Sequence, residues 1–286
     1  MLPTFNKRNY DRRNNSHSPF GSIDPAVIKW RKNAKSAGAE AISNKTMLAM
    51  DEFYKGLKRT GIYYKMISLN CYVPDNLIAS ITPLIHIDNR PYDNVAFIAS
   101  DLNLDGLKGD GTSKYLKTRV NPTLHLKNNA SGGLTMYSVQ PLSENAYSMG
   151  SQDSAGTQVM ILYYVFSTNV TIVDLFDISS RLSIANLGYT GYISANRVTA
   201  SKMDLYMASP IKPHVSAIRD LTAKTGVRPN FETYVHVANT GGSASSWSSR
   251  RYSFSAIHEG LTEDESRKFY HFIHNLRRRL GGGYIV

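Results

Sequence analysis

With one cysteine, Cys71, among 286 residues, any chemistry this chain performs has to come from carboxylates, histidines, or aromatic and cationic side chains. Retaining hydrolysis of a glycosidic bond needs two carboxyl groups about 5 Å apart, which on one strand means acids two or four positions apart on the same face. Asp174 and Asp177 are three apart and so point to opposite faces, while Glu263, Asp264 and Glu265 sit together at a helix start. Asp101 and Asp105 have the right parity but lie in a turn-rich Asp-Leu-Asn-Leu-Asp stretch. With Asp110 they are calcium candidates, through carboxylates and turn carbonyls, set against the plainer reading of solvated turn acids. Gly106 to Ser113 has the glycine spacing of a phosphate loop, yet Thr112 stands where a lysine must reach the phosphates. His271 and His274 are one helical turn apart with no third metal ligand close in sequence, and there is no Gly-x-Ser-x-Gly elbow. The residues present no catalytic apparatus, so the chain reads as a non-enzyme that needs no cofactor.

Recognition has more to work with. Thr240 to Arg251 is a Gly/Ser-rich stretch carrying Trp247, Arg250 and Arg251. An exposed indole can stack on a sugar face and an arginine fork can pair with acidic groups, and the same residue types also anchor subunit interfaces. Tyr189 and Tyr192 are a second candidate platform, with half-buried strand tyrosines as the plainer account. Charge is uneven: residues 1–70 hold 13 Lys/Arg against 5 Asp/Glu, in a chain whose net charge is +11. Lys7, Arg8, Arg12 and Arg13 fall in a polar stretch without visible period, which reads as an extended docking arm for an acidic partner. Nucleic acid is one such partner, and an acidic groove on another protein is the preferred one, because the arm lacks a recognition fold.

These residues need elements to position them. Asp24-Pro25 is a helix start, with the helix running to Gly38, and a second helix spans Asn44 to Thr60 with Met47, Met50, Tyr54 and Leu57 as its buried stripe. Beyond Gly61 the texture becomes short strands between turn clusters, as in a sandwich. Strands are expected over Ser113 to Thr118, Thr135 to Gln140, Val159 to Phe166, Thr171 to Ile178, Lys202 to Ala208, Thr233 to Val237 and Arg251 to His258. In the last of these, Tyr252, Phe254 and Ala256 share one face. His214 to Thr225 fits either a helical turn or a strand. Thr262 with Glu265 makes a capping box, and Phe269, Phe272, Ile273, Leu276 and Leu280 form one stripe of a closing helix. Cys71 reads as a small buried hydrophobe. The longest strongly apolar run, Val159 to Phe166, is far short of the ~20 residues that cross a bilayer, so no membrane insertion is expected.

Three stretches in this order resemble a known family. Gly106 to Leu116, continuing to Asn121-Pro122, is similar to the strand-turn-strand opening of concanavalin A-like, laminin-G-like jelly rolls in tailed-bacteriophage virion proteins. Those proteins precede it with a lead like Asp51 to Tyr63 and Asp75 to Leu84, and close with a strand and helix like Ser253 to Glu265. The resemblance implies a mainly β, two-sheet antiparallel jelly roll over residues 67–260, after a basic arm (1–23) and a helical lead (24–66) and before a C-terminal helix and tail (261–286). It implies a virion structural protein of fibre, neck, tail or capsid surface, assembled in the host cytoplasm. Its partners would be other virion proteins, further copies of itself and host-surface polysaccharide. It supplies no fixed set of ligand-binding residues.

Overall fold

The computed structural model describes residues 22–166, 170–179, 181–185, 190–208, 216–222 and 226–283. Lys7, Arg8, Arg12 and Arg13 of the expected arm, and Tyr189, lie outside the described residues. The helices are α1 (Pro25–Ser36), α2 (Asn44–Arg59), α3 (Leu77–Ile81), α4 (Pro122–His125) and α5 (Glu263–Leu280). The strands begin with β1 (Met66–Asn70), β2 (Asp93–Val95), β3 (Leu102–Asn103), β4 (Gly106–Lys108), β5 (Tyr115–Lys117) and β6 (Gly132–Ser138). They continue with β7 (Met149–Gln152), β8 (Val159–Phe166), β9 (Val170–Leu175), β10 (Leu182–Ala185), β11 (Gly191–Thr199) and β12 (Lys202–Ala208). The last are β13 (Ser216–Asp220), β14 (Tyr234–Val235), β15 (Ala238–Thr240), β16 (Ser243–Ser245), β17 (Arg251–Tyr252) and β18 (Phe254–His258).

The fold is mainly β, with two stacked antiparallel sheets. The smaller has six strands in the order β1-β18-β6-β11-β12-β13. The larger runs β10-β9-β8-β7-β14-β5-β2, with the β15-β16 hairpin added where β15 lies parallel to β7. A third, short sheet joins β17, β4 and β3. Alternation along the strands sets the cores. Met203, Leu205 and Met207 of β12 face the larger sheet, as their spacing predicts, together with Leu134, Met136, Ile193 and Ala195. From the other side Met149, Met160, Leu162, Val173 and Leu175 meet them. The opposite face of the six-stranded sheet, carrying Tyr137, Tyr192, Tyr206, Phe254 and Ala256, is covered by α1, α2 and α5. α1, α2 and α5 thus form one helical layer, and the described residues stack helix on sheet on sheet.

Each major helix begins where its sequence signal lies. Asp24 Oδ1 accepts from Ala26 N at 3.0 Å ahead of Pro25. Ser43 caps α2, and Thr262 with Glu265 closes the reciprocal capping box of α5. Met47, Met50, Tyr54 and Leu57 are buried, as are Phe269, Ile273, Leu276 and Leu280, whereas Phe272 is only partly covered. A polar seam fixes the start of α5 to the sheet. Thr135 Oγ1 lies 2.7 Å from Ser194 Oγ and 2.8 Å from His258 Nε2, and Asn196 Oδ1 accepts from Leu261 N at 2.9 Å.

Several expected strands are altered by local hydrogen bonding. The strand expected from Ser113 begins only at Tyr115, because Asp110 Oδ1 takes the amides of Thr112, Ser113 and Lys114 and holds that stretch in a turn. Arg251 to His258 is two strands. The chain bends at Ser253, whose amide donates to Tyr137 O at 2.9 Å, so Tyr252 enters the inter-sheet core while Phe254 and Ala256 face the helices. In the ambiguous 214–225 stretch, Ser216–Asp220 is strand, paired with β12. Gly106, at φ 113°, has no room for a side chain: a Cβ there would come within 2.1 Å of Tyr252 O. This close approach lets β4 pair with β17.

Three histidines are enclosed as neutral rings. Burial holds His86 and His258 down to about 4 and His236 down to about 3, against about 6.5 in an unfolded chain. Below pH 6.5 the unfolded chain therefore binds protons that the folded chain refuses. The stability present above that pH is lost as pH falls, by up to ~1.4 kcal/mol per pH unit for each ring, until the folded values are reached. Thermal melts should show a midpoint that declines from about pH 6.5 down to about pH 4; a level midpoint across that window would contradict the burial of these rings.

Candidate binding face

The residues singled out in the sequence do not assemble into one site. Tyr192 is an interior residue, 1% exposed, packed edge-on against Phe269 and beside Tyr270. Arg250 is fully buried: its guanidinium lies 4.6 Å over the Tyr164 ring, Nη1 donates to Gln140 O, and Glu144 stands 3.8 Å from Nε. Arg251 Nη1 is committed to Asp101 O at 2.7 Å and Gly106 O at 2.6 Å. Arg250 is out of a ligand's reach because it is enclosed, and Arg251, partly buried, spends Nη1 on main-chain carbonyls rather than on an acidic partner. The calcium candidates are dispersed. Asp101 binds Lys114 at 2.7 Å, Asp105 accepts from Gly283 N at 2.9 Å, and Asp110 caps its own turn. Among the described residues no three His, Cys, Asp or Glu side chains gather as metal ligands, and that includes His271 and His274.

One catalytic-looking relay was not legible in the sequence. Ser68 Oγ lies 2.9 Å from His86 Nδ1, and His86 Nε2 lies 3.3 Å from Asp88. Ser68 is completely enclosed, however, and its hydroxyl is shared with Tyr92 at 2.6 Å. Asp88 is held by Arg119 and by Arg90, each at 2.8 Å, and these partners keep its carboxyl well below the usual range despite partial burial. A nucleophile must reach its substrate, and this serine cannot; the relay is a structural tie between β1 and the 86–93 segment.

The outer face of the larger sheet offers the better site. In β8, Met160, Leu162 and Tyr164 turn inward, so Val159, Ile161 and Tyr163 turn outward, where Val159 and Ile161 join Ala238 in a small apolar cluster. Tyr147 and Tyr163 lie against it with ring centroids 4.2 Å apart and an interplanar angle of 34°. Register carries this face onto β9, with Ile161 opposite Asp174 and Tyr163 opposite Ile172. Asp174 is fully buried under Arg181, which grips it through Nε at 3.0 Å and Nη2 at 2.7 Å. Burial raises the Asp174 carboxyl, outweighing the lowering by Arg181, and the same pairing raises Arg181. Arg181 is about half exposed, and its Nη1 has no hydrogen-bond partner among the described residues. On the other flank Gln152 Nε2 donates to Thr240 Oγ1 at 3.0 Å and to Tyr147 OH at 3.3 Å.

Trp247 belongs beside this face. Its neighbour Ser246 accepts from Tyr147 N at 3.0 Å, which places the indole-bearing loop next to the tyrosine pair. The indole is half-buried, not free in solvent as its serine-rich setting predicts. Glu144 clasps the loop from outside: one oxygen takes Ser248 Oγ at 2.5 Å, the other Ser249 N at 2.8 Å. The face therefore combines packed aromatics, a carboxylate-backed guanidinium whose Nη1 is unengaged among the described residues, and an amide and hydroxyl rim. Sugars are bound by this kind of surface, since their C–H faces pack on aromatic rings while their hydroxyls bond to planar polar groups. Asp177 is not part of it: beyond the end of β9, its Oδ1 takes Ser179 N at 2.9 Å and Ser179 Oγ at 2.6 Å.

No protein-family model matches this chain and no curated protein is similar to it. Solved structures are similar at low identity. A GH54 α-L-arabinofuranosidase aligns over 60% of this chain and 41% of its own, at 11% identity and a TM-score of 0.41. Tailspike protein 2 from Escherichia coli O157:H7 bacteriophage CAB120 aligns over 64% of this chain and 27% of its own, at 10% identity and a TM-score of 0.41. A leech intramolecular trans-sialidase aligns over 62% of this chain and 27% of its own, at 9% identity and a TM-score of 0.40. This chain thus spans less than half the length of each.

Replacing Glu144 by Gln keeps the shape of the clasp but removes the charge shared by its three donors, Ser248 Oγ, Ser249 N and Ser249 Oγ, and hydrogen bonds to a charged group contribute about 1.5–3 kcal/mol. The E144Q variant should melt several degrees lower and show red-shifted Trp247 emission as the indole becomes wetter; unchanged emission would mean that Glu144 does not hold the loop.

Proposed function

We propose that this chain is a non-enzymatic structural protein of a bacteriophage particle, a fibre, neck, tail or capsid-surface component, whose outer sheet face adheres to polysaccharide. The resemblance, in order, of Asp51 to Tyr63, Asp75 to Leu84, Gly106 to Leu116 with Asn121-Pro122, and Ser253 to Glu265 supports the virion reading. The Tyr147–Tyr163 pair beside the Asp174–Arg181 clamp carries the adhesive one. The aromatic pair rests on a buried apolar cluster, so it is held ready without ordering cost on binding. The carboxylate beneath Arg181 fixes the plane of the guanidinium, so the remaining donor points in one direction. An isolated face of this kind binds weakly, and repeated copies on a particle would raise avidity without new contacts. The basic front of the chain, including the cationic residues Lys7, Arg8, Arg12 and Arg13, is the anchor in this reading.

Purified protein should bind one or more bacterial surface polysaccharides, and Tyr163→Ala and Arg181→Ala should each weaken that binding about tenfold, the equivalent of about 1.4 kcal/mol, with little change in melting temperature. Release of reducing sugar ends by the wild-type protein would refute the non-enzymatic reading, and equal binding by both variants would move the adhesive site elsewhere. Anchoring is tested separately: a chain lacking residues 1–21 should fold but enter particles poorly, and normal incorporation would exclude the arm as anchor.

A further inference from the structure

Strand register leaves a single charged side chain among the described outward positions of β7, β8, β9 and β10, and it is Asp174. Its partner is Arg181, the residue before β10, at 2.7 Å. Both charges reach the tyrosine pair: burial holds the Tyr163 phenol up, Arg181 draws it down and Asp174 pushes it back up. The other acids near this end of the sheet are engaged as well. Burial lowers Arg197 and Asp177 acts against that, so a second acid answers a second guanidinium. Asp153, which follows β7, spends its carboxylate on Thr157 Oγ1 and on the amides of Thr157 and Gln158. Hydrogen-bonding capacity remains on either side of the tyrosines. Arg181 Nη1 is a donor with no partner among the described residues. Gln152 gives its amide nitrogen to Thr240 Oγ1 and Tyr147 OH, which leaves its Oε1 as an acceptor with no partner among the described residues.

We propose that this face takes a neutral, hydroxyl-rich glycan and discriminates against acidic ones, with Asp174 setting the choice. The inference rests on the adhesive reading and names the class of sugar that the same face selects. A hydroxyl both donates and accepts, so a neutral sugar chain satisfies the donor at Arg181 and the acceptor at Gln152 together. An ionised carboxylate only accepts. At Gln152 Oε1 it would meet another acceptor, and at Arg181 it would find the charge already matched, its attraction to the guanidinium offset by repulsion from Asp174 beneath. Recognition of an acid by arginine draws on an uncompensated charge, which the grip of Asp174 removes. The pyranose C–H face needs no charge to pack on Tyr147 and Tyr163. Asp174 is fully buried, so it acts through Arg181 and not by contact with the ligand.

The full chain is titrated with neutral β-glucan, mannan and galactan, and with each polymer after oxidation of its primary hydroxyls to carboxylates. At least one neutral polymer should bind, with an affinity indifferent to salt because no ion pair forms, and its oxidised form should bind at least about tenfold more weakly. Asp174→Asn keeps the shape beneath Arg181 and strips the countercharge, so it should raise binding of the oxidised polymer at least about tenfold and make that binding fall as salt rises. A purely structural role for Asp174 would produce no such gain. The comparison of the two polymers on the wild-type chain stands whether or not the variant folds. An oxidised polymer bound as tightly as its parent, neutral binding that weakens steeply with salt, or a folded Asp174→Asn chain without the gain would overturn the proposal. Binding of oxidised polymers alone, lost in Tyr163→Ala, would keep the adhesive reading and overturn only the neutral class. Absence of binding by every polymer, neutral and oxidised, would overturn the adhesive reading and this inference with it.

Discussion

Buried guanidinium groups bonded to main-chain carbonyls hold the three layers in register. Arg197, Arg250 and Arg277 are all completely enclosed. An arginine keeps its charge in any folded environment, and an enclosed charge without acceptors costs several kcal/mol. Here the acceptors are carbonyls at the ends of elements, where ladder pairing stops. Arg197 on β11 crosses between the sheets to Leu175 O at 2.8 Å and bonds Ala200 O at 2.8 Å. Arg277 reaches from α5 to Cys71 O at 2.6 Å and Leu104 O at 2.8 Å, tying the helical layer to β1 and to the β3-β4 turn. Burial lowers both, Arg277 to about 10. Each contact pairs a guanidinium donor with a carbonyl, although Arg250 Nη2 and Arg277 Nε are buried without a hydrogen-bond partner among the described residues, so a shift of one residue in register would strand the carbonyls as well.

The binding face depends on the same constraint. Leu175, which receives Arg197, is the neighbour of Asp174, so the bond that fixes the inner face of β9 also fixes which residue meets Arg181 on the outer face. Glu144 and Arg250 do the equivalent for the Trp247 loop. The cations therefore divide into three populations with different physics. Some are interior and bond carbonyls. Others are paired near the surface, as Lys65 with Glu265 and Arg279 with Glu52, both at 2.6 Å, where each pair contributes little. The exposed α1 lysines, Lys29, Lys32 and Lys35, have no carboxylate partner among the described residues. Net charge alone does not distinguish these groups.

Local signals in the sequence were read correctly where neighbours in the chain decide the outcome. Asp24-Pro25 and the Thr262/Glu265 box begin their helices because a side-chain acceptor two or three residues away satisfies a free amide. The period-2 pattern of Lys202 to Ala208 and the continuous apolar run of Val159 to Phe166 became β12 and β8 with the expected bounds. The mainly β, two-sheet class followed from those strands. Tyr252, Phe254 and Ala256 show the limit: alternation presumes an unbroken ladder, and the bend at Ser253 exists because Gly106 and Tyr137 bring in backbone from elsewhere in the chain.

The candidate site was the least legible part, for the same reason. Arg250 next to Arg251 beside a tryptophan looks like a recognition loop in one dimension, but whether an arginine meets solvent or a carbonyl is settled by which segments pack over it. Tyr147 and Tyr163 are separated by a strand turn, and Asp174 and Arg181 by another, so only the β7-β8-β9-β10 register makes them neighbours. The amino-acid order by itself determined the caps, the strand periodicity and the cationic front, all set by interactions within a few residues. The tertiary structure decided which charges are buried and which aromatics share a face, because burial and long-range pairing depend on groups that lie far apart along the chain.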